Sequence, residues 1–136
     1  MNLFAMDFIL VPINQDCHWT LIIVNARQRR IVYYDSCLND GTVQMSLVLS
    51  YLCQEFHART GKELIEGEWQ LRNAKDFTPQ NNSYDCGVYV CKFARNLLKR
   101  DWDTWKMPAI RRHMIEELTQ KDLIFDHQMF SALPQS

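Results

Sequence analysis

The sequence predicts an α+β fold in which a small mixed sheet is flanked by helices. Short runs rich in β-branched and aromatic residues crowd the beginning of the chain, which is typical of strands. Longer segments with helical periodicity fill its middle and its end. At 136 residues the chain can bury one core without disulfide bonds, so we expect a single domain.

Three strands are predicted near the start of the chain. Residues 8–13 form a short apolar run that Pro12 and the polar residues after it close. Residues 18–24 and 31–34 form two further runs, separated by a polar and basic turn at residues 25–30. A short polar turn between two strands favours a hairpin, so we expect these two strands to pair antiparallel.

The helical segments alternate with one further strand. Residues 43–57 and 86–98 are predicted as helices, and residues 68–72 lie between them as a strand. A last helix begins near Pro108, because proline suits the first turn of a helix. The side chains expected to face the core are Leu47, Val48, Tyr51, Leu52 and Phe56 in the first helix, Val90, Ala94, Leu97 and Leu98 in the second, and Ile110, Met114, Ile115 and Leu118 in the last.

Composition argues against several classes of protein. The 15 basic and 16 acidic residues nearly cancel, so we expect neither nucleic acid nor a membrane as a partner. The cysteines are Cys17, Cys37, Cys53, Cys86 and Cys91. Their odd number and scattered positions favour free thiols in a reducing, intracellular compartment. The apolar start of the chain carries no basic segment and is interrupted by Asp7, so it is not predicted as a signal peptide.

Cys86 is the candidate nucleophile. A polar loop leads directly into the second helix, and Asp85 is a typical N-cap residue, which places Cys86 in the first helical turn. The unpaired N–H groups and the positive end of the helix dipole there favour a thiolate, the nucleophilic form of cysteine. Gly87 leaves the sulfur uncrowded. Gln80, six residues upstream, can donate a hydrogen bond to an oxygen near that sulfur.

His18 and Asp35 are the candidate partners of this thiol. His18 begins one strand of the predicted hairpin and Asp35 follows the other, so antiparallel pairing places both at the same end. A carboxylate there can fix the imidazole tautomer and free the other ring nitrogen to accept a proton from Cys86. Each residue alone has an ordinary structural explanation, as a core thiol, a strand-edge histidine or a strand terminator. Their joint position at element ends, together with Gln80, favours catalysis.

A set of short motifs recurs in the same order in the ubiquitin-like-protein-specific cysteine proteases. These motifs are Val11-Pro12-Ile13, Cys17-His18-Trp19, Tyr33-Tyr34-Asp35-Ser36, Trp69-Gln70-Leu71, and Pro79-Gln80 through Asp85-Cys86-Gly87. The chain resembles the sentrin/SUMO-specific branch of that family over roughly residues 5–125. The resemblance implies a papain-like cysteine protease fold in which residues 1–136 are the catalytic domain. It also implies a missing N-terminal portion, because the chain begins almost directly in a strand.

The resemblance further implies roles for individual residues. Cys86, His18 and Asp35 match the catalytic triad, Gln80 matches the oxyanion-binding glutamine, and Trp19 matches a substrate-binding tryptophan. That tryptophan clamps a narrow Gly-Gly tail, which suits glycine because it lacks a Cβ. The implied activity is cleavage after the C-terminal Gly-Gly of SUMO, both from conjugates and from precursors. This activity needs no cofactor and no metal. The resemblance also implies that the protein is a monomer and that it is located in the nucleus rather than in the cytoplasm.

Two alternatives stay open. Asn82-Ser83-Tyr84 in the nucleophile loop also resembles relatives that act on other ubiquitin-like modifiers. A truncated, inactive module that only binds a modifier is the second alternative, motivated by the short N-terminal portion.

Two other site types are disfavoured by spacing. A structural metal site is disfavoured because the cysteines form no C-x₂-C pair. A cysteine phosphatase would need arginine six positions after Cys86, and that position is Lys92. Cys53 and Cys91 are predicted as core thiols. Cys37 is close to the candidate site along the chain and is assigned no role.

Overall fold

The structure is a computed structural model that describes residues 1–98 and 106–119. In chain order its main elements are β1 (Ile9–Gln15), β2 (His18–Asn25), β3 (Arg30–Tyr34), α1 (Thr42–Thr60), β4 (Gln70–Asn73), α2 (Cys86–Leu97) and α3 (Met107–Thr119). The strands form one sheet in the order β1-β2-β3-β4, in which the first three are antiparallel and β4 is parallel to β3. The predicted α+β class with a small mixed sheet is confirmed.

The predicted hairpin is confirmed as β2–β3, with Leu21 opposite Tyr34. β1 and β2 form a second, tighter hairpin in which Gln15 pairs with His18. The two residues between those strands, Asp16 and Cys17, have φ of 53° and 61°. Positive φ at both central residues matches the right-handed twist of paired strands, which is why two-residue hairpins adopt it. This turn fixes the position at which His18 enters the sheet.

β2 lies at the centre of the core and is buried on both faces. Leu21 and Ile23 pack on one face with residues of α2 and α3, and Ile22 and Val24 pack on the other with residues of α1. A strand covered on both faces needs apolar side chains at every position rather than at alternate ones. This explains the unbroken apolar run in the sequence.

The core-facing side of α1 differs from the prediction. Leu47 and Tyr51 are 67% and 56% exposed, whereas Met45, Leu49 and Leu52 are buried against the sheet. The prediction was therefore wrong for Leu47 and Tyr51. The helix carries apolar residues around much of its circumference, so periodicity alone does not select the side that meets the sheet.

The buried side of α2 is also rotated relative to the prediction. Val88, Tyr89 and Phe93 are buried, whereas Leu98, just after the helix, is exposed. Phe93 anchors the helix through ring contacts to Phe77 and Tyr34, at centroid distances of 4.8 and 4.9 Å. These contacts come from distant segments, so the sequence of α2 by itself does not reveal them. Val90, Ala94 and Leu97 are partly buried beside this cluster.

In α3, Ile110 is fully buried and Met114 packs beside it, as predicted, but Ile115 is 64% exposed. The side chain of Leu118 lies outside the described residues. β4 begins at Gln70 rather than at residue 68, because Glu66–Glu68 form a short 3₁₀ turn. No helix in the described ranges has both the length and the apolar character required to cross a lipid bilayer.

Gly41 precedes α1 at a position where only glycine fits. A Cβ at this residue would overlap the ring of the buried Tyr33. We expect Gly41→Ala to lower the free energy of unfolding by about 2 kcal/mol, because the ring must shift within a packed core. Chemical denaturation measures this change. Gly67→Ala is the matched control, since a Cβ there meets no atom within 4 Å; equal losses in the two variants would contradict the steric explanation.

Candidate active site

His18 and Asp35 meet at one end of the β2–β3 hairpin. The register that pairs Leu21 with Tyr34 carries both residues to the same end of the two strands. His18 Nε2 lies 2.7 Å from Asp35 Oδ1, and the aspartate is buried while the histidine is partly exposed. An acidic partner at Nε2 holds the proton on that nitrogen, which leaves Nδ1 as the acceptor.

The carboxylate of Asp35 is oriented by two further donors. The backbone N–H of Cys37 donates to Oδ1 at 2.7 Å, and Asn39 Nδ2 donates to Oδ2 at 3.0 Å. Both oxygens of this buried group therefore have partners, and its plane is held toward His18. Asn39 was not singled out from the sequence as part of the site. Its position four residues after Asp35 is nevertheless close enough along the chain to indicate a local side-chain contact.

Cys86 opens α2 and is 6% exposed. Asp85 occupies the N-cap position, as predicted, but its side chain makes no capping hydrogen bond. Its Oδ1 instead accepts from Arg111 Nη2 and Nε at 2.8 and 3.1 Å, and its Oδ2 accepts from Asn82 Nδ2 at 2.6 Å. A charge-assisted pair with a guanidinium is stronger than one bond from a backbone N–H, which explains the difference.

The pairing of Asp85 with Arg111 affects the start of α2. Arg111 belongs to α3, so its bond to Asp85 ties α3 to the residue before the candidate nucleophile. Because the Asp85 side chain points to Arg111, it does not occupy the N–H groups of the first turn of α2. Those groups remain suited to an anion.

Gln80 is held by the segment that follows Asp35. The Ser36 hydroxyl donates to Gln80 Oε1 at 2.6 Å, and the Gln80 backbone N–H donates to the Ser36 carbonyl at 2.8 Å. Gln80 Nε2 donates to the backbone carbonyl of Asn82 at 2.6 Å. An amide nitrogen carries two hydrogens, and the second has only a long contact of 3.5 Å to Asn82 Oδ1, which a closer acceptor can replace. Ser36, which is buried, was not singled out from the sequence.

We expect Ser36→Ala to misorient the Gln80 amide. The variant removes the hydroxyl that donates to Gln80 Oε1 and leaves that part-buried oxygen without this donor. Catalytic turnover should fall about tenfold, with a smaller change in KM, if the amide acts in the transition state. Steady-state kinetics measures the effects on turnover and on KM separately. Ser46→Ala, at an exposed position of α1, is the control, and a KM effect alone would contradict the expectation.

Trp19 connects the two halves of the site. Its indole is 41% exposed beside His18, and a Cβ on Gly87 would lie 3.8 Å from its Cδ1. The start of β2 therefore borders the first turn of α2, where Cys86 lies. Within residues 1–98 and 106–119, no hydrogen bond joins the Cys86 thiol to His18. Such bonds are often long or poorly aligned in ligand-free sites and tighten with substrate.

The solvent exposure of the cysteines differs from the prediction. Cys91 is exposed rather than a core thiol, and Cys53 is partly buried. Cys37 is exposed, and donor atoms of His18, Asp35 and Cys37 all lie within 4.8 Å of one another. Donors of these types can hold a metal ion. Partial desolvation, and then the charges of Asp35 and Cys86, raise the pKa of the Cys37 thiol.

The chain is similar in sequence to known proteases. A sequence profile of the Ulp1 protease family, C-terminal catalytic domain, matches residues 1–131. Human sentrin-specific protease 2 is 31% identical over 130 residues, which cover 91% of this chain and 22% of that protein. The chain therefore spans about a fifth of the length of that relative.

Two solved structures of Ulp1 are similar to this fold. The Ulp1 protease domain in complex with Smt3, the yeast orthologue of SUMO, is 30% identical with a TM-score of 0.62, covering 86% of this chain and 53% of that one. Ulp1 with its catalytic cysteine oxidised to a sulfenic acid is 29% identical with a TM-score of 0.63, covering 86% and 54%. Profile, sequence and structure agree that this chain belongs to the Ulp1 protease family.

Proposed function

We propose that this chain is a cysteine protease that hydrolyses the bond after the C-terminal Gly-Gly of SUMO, in deconjugation and in precursor processing. The observation that carries the proposal is the His18–Asp35 pair, held 2.7 Å apart at the end of a hairpin that borders the helix start of Cys86. Family membership supports the same chemistry, and similar proteins include a sentrin-specific protease and a Ulp1 domain bound to a SUMO orthologue.

Nucleophilic attack begins at Cys86. Its sulfur attacks the carbonyl carbon of the terminal glycine, and His18 Nδ1 takes up the thiol proton. The hydrogen bond from Nε2 to Asp35 keeps this tautomer and stabilises the imidazolium that forms. The proton is then given to the departing lysine amine, which leaves a thioester on Cys86. His18 finally activates water to hydrolyse the thioester and restore the thiol.

The negative oxygen of each tetrahedral intermediate needs donors that are already in place. The Gln80 amide and the backbone N–H of Cys86, at the start of α2, fill this role in our proposal. Gln80 is pre-oriented by Ser36, which lies next to Asp35, so the oxyanion donor and the carboxylate are positioned by the same short segment.

The exposed indole of Trp19 supplies one wall for the substrate tail. It lies beside the first turn of α2 at Gly87, where the Trp19 ring is the one group of the described residues within 4 Å of the place a Cβ would take. A narrow space against an indole ring accepts glycine and excludes residues that carry a Cβ. We therefore assign substrate binding to Trp19. A nuclear location and a monomeric state, which the resemblance implies, stay predictions.

A SUMO probe tests the proposal directly. We would incubate the chain with SUMO that carries an electrophile at its C-terminal glycine and look for an adduct by intact mass. We expect an adduct on Cys86 that is lost in Cys86→Ala and slowed in His18→Ala. Binding of SUMO without an adduct would overturn the catalytic proposal and favour a modifier-binding module. An adduct with a probe based on another ubiquitin-like modifier, but not with SUMO, would overturn the assigned substrate.

A further inference from the structure

Three side chains that can bind a metal ion meet at the proposed catalytic pair. His18, Asp35 and the exposed Cys37 each offer one donor atom, and these three atoms all lie within 4.8 Å of one another. The proposed reaction uses the first two residues and leaves the sulfur of Cys37 without a role. A thiolate, an imidazole and a carboxylate together are typical ligands of Zn²⁺, whereas Mg²⁺ and Ca²⁺ select oxygen ligands.

Hydrogen bonds within one turn hold the carboxylate and the thiol together. The backbone N–H of Cys37 donates to Asp35 Oδ1 at 2.7 Å, and the Leu38 N–H donates to the Asp35 carbonyl at 2.9 Å. Asn39 Nδ2 donates to Oδ2 at 3.0 Å, which leaves Oδ1 directed toward His18. Hydrogen bonds of this kind behind the ligands orient them in protein metal sites.

A cavity of about 300 Å³ opens onto these three side chains. His18, Asp35 and Cys37 line it together with Asp16 and Asp40, and its lining includes no lysine or arginine among the residues that the structure describes. The carboxylates therefore favour a cation in this space. The cavity also has room for a water molecule as a fourth ligand, which completes the tetrahedral geometry that Zn²⁺ prefers.

We propose that His18, Asp35 and Cys37 bind Zn²⁺ and that the bound ion inhibits the protease. The Cys37 thiol releases its proton to water as the sulfur–zinc bond forms. The resulting thiolate and the Asp35 carboxylate then balance the two positive charges of the ion. Bonds of about 2.0 Å in a tetrahedral site place nitrogen and oxygen ligands roughly 3.3 Å apart. His18 Nε2 and Asp35 Oδ1, which lie 2.7 Å apart, therefore need to separate by only about half an ångström.

Inhibition follows from the position of the proton on His18. A neutral imidazole carries one proton, and Asp35 holds it on Nε2. Zinc at Nε2 moves that proton to Nδ1, whereas zinc at Nδ1 occupies the lone pair of that nitrogen directly. In both cases Nδ1 cannot accept the proton of the Cys86 thiol. The proposed mechanism then lacks its base, while Cys86 itself is not modified.

The inhibition rests on the proposed function, whereas metal binding does not. The test titrates the full chain with ZnCl₂ by calorimetry, and with CoCl₂, whose bond to a thiolate gives a charge-transfer absorption, in buffer without chelators or dithiols. We expect one ion per chain, and labelling of Cys86 by the SUMO probe should slow at least about tenfold in zinc. MgCl₂ should neither bind nor inhibit, because its ion selects oxygen ligands.

Three cysteine variants locate the ion. Cys37→Ser should react with the SUMO probe at the wild-type rate without metal, lose the cobalt absorption and raise the Kd for zinc at least about tenfold. Cys17→Ser is the matched control, since it removes an exposed thiol next to His18 that does not belong to the cluster. It should bind zinc as the wild type does. Cys86→Ala should also keep the wild-type affinity for zinc.

Equal inhibition of the wild type and of Cys37→Ser by zinc would overturn the inference, because Cys37 would then not be a ligand. Failure of the wild type to bind zinc would overturn it too, as would loss of zinc binding in Cys86→Ala. If cobalt binds through Cys37 but the SUMO probe never labels Cys86 in the metal-free chain, the metal site stands and the proposed function falls.

Discussion

Cys86→Ala is expected to lower turnover by a factor of about 10⁴ or more, because no other group replaces the attacking sulfur. Binding of SUMO should persist, since the substitution removes only a sulfur atom and its hydrogen from the helix start. Cleavage of a SUMO fusion measures the first effect, and calorimetry with SUMO measures the second. The free energy of unfolding should change little, because alanine favours a helix.

The control for this variant lies on the same helix. Cys91 is exposed, so Cys91→Ala removes a thiol from α2 without affecting the buried helix start. It should cleave as the wild type does. If Cys86→Ala kept more than a hundredth of wild-type turnover, Cys86 would not be the nucleophile.

His18→Ala is expected to lower turnover by about 10³-fold, because in the proposed mechanism the thiol loses the base that takes its proton and the acid that protonates the leaving amine. Alkylation of Cys86 by iodoacetamide should slow as well, since the thiol then has no imidazole to accept its proton. Measuring both rates separates loss of the base from loss of substrate binding. Unfolding should remain cooperative, because Asp35 keeps its bonds from Cys37 and Asn39.

His57 supplies the matched histidine control. It is exposed near the end of α1, where its Nδ1 lies 2.8 Å from Glu63 Oε1. His57→Ala should change neither turnover nor alkylation. Should His18→Ala lower substrate affinity while leaving the alkylation rate of Cys86 unchanged, His18 would be a binding residue and the proposed triad would be wrong.

The parts of the site that sequence predicts well are those joined by short stretches of chain. His18 and Asp35 are separated by one hairpin, and an apolar run, a polar turn and a second run determine how that hairpin pairs. Their meeting at 2.7 Å follows from this local register. The position of Cys86 at a helix start is local too, because a polar loop and an N-cap residue precede it.

The supporting contacts are less predictable because they join segments that are distant in the chain. Asp85 looks like a capping residue by type, yet its buried carboxylate pairs with Arg111 of α3, which lies 26 positions away. Ser36 orients Gln80 across 44 positions. No local pattern marks either pair, since a serine or an arginine has many possible partners until the helices are packed on the sheet.

The sequence by itself determined the class of fold, the order of the strands and helices, and the four residues Cys86, His18, Asp35 and Gln80 that we propose act together. Tertiary structure alone decided which side of α1 is buried, which partner holds Asp85, and that Cys37 lies beside His18. The physical reason is that periodicity and turn chemistry act over a few residues. The rotation of a helix on a sheet, and the polar pairs made across that interface, are instead selected by the best joint packing of segments far apart in the chain.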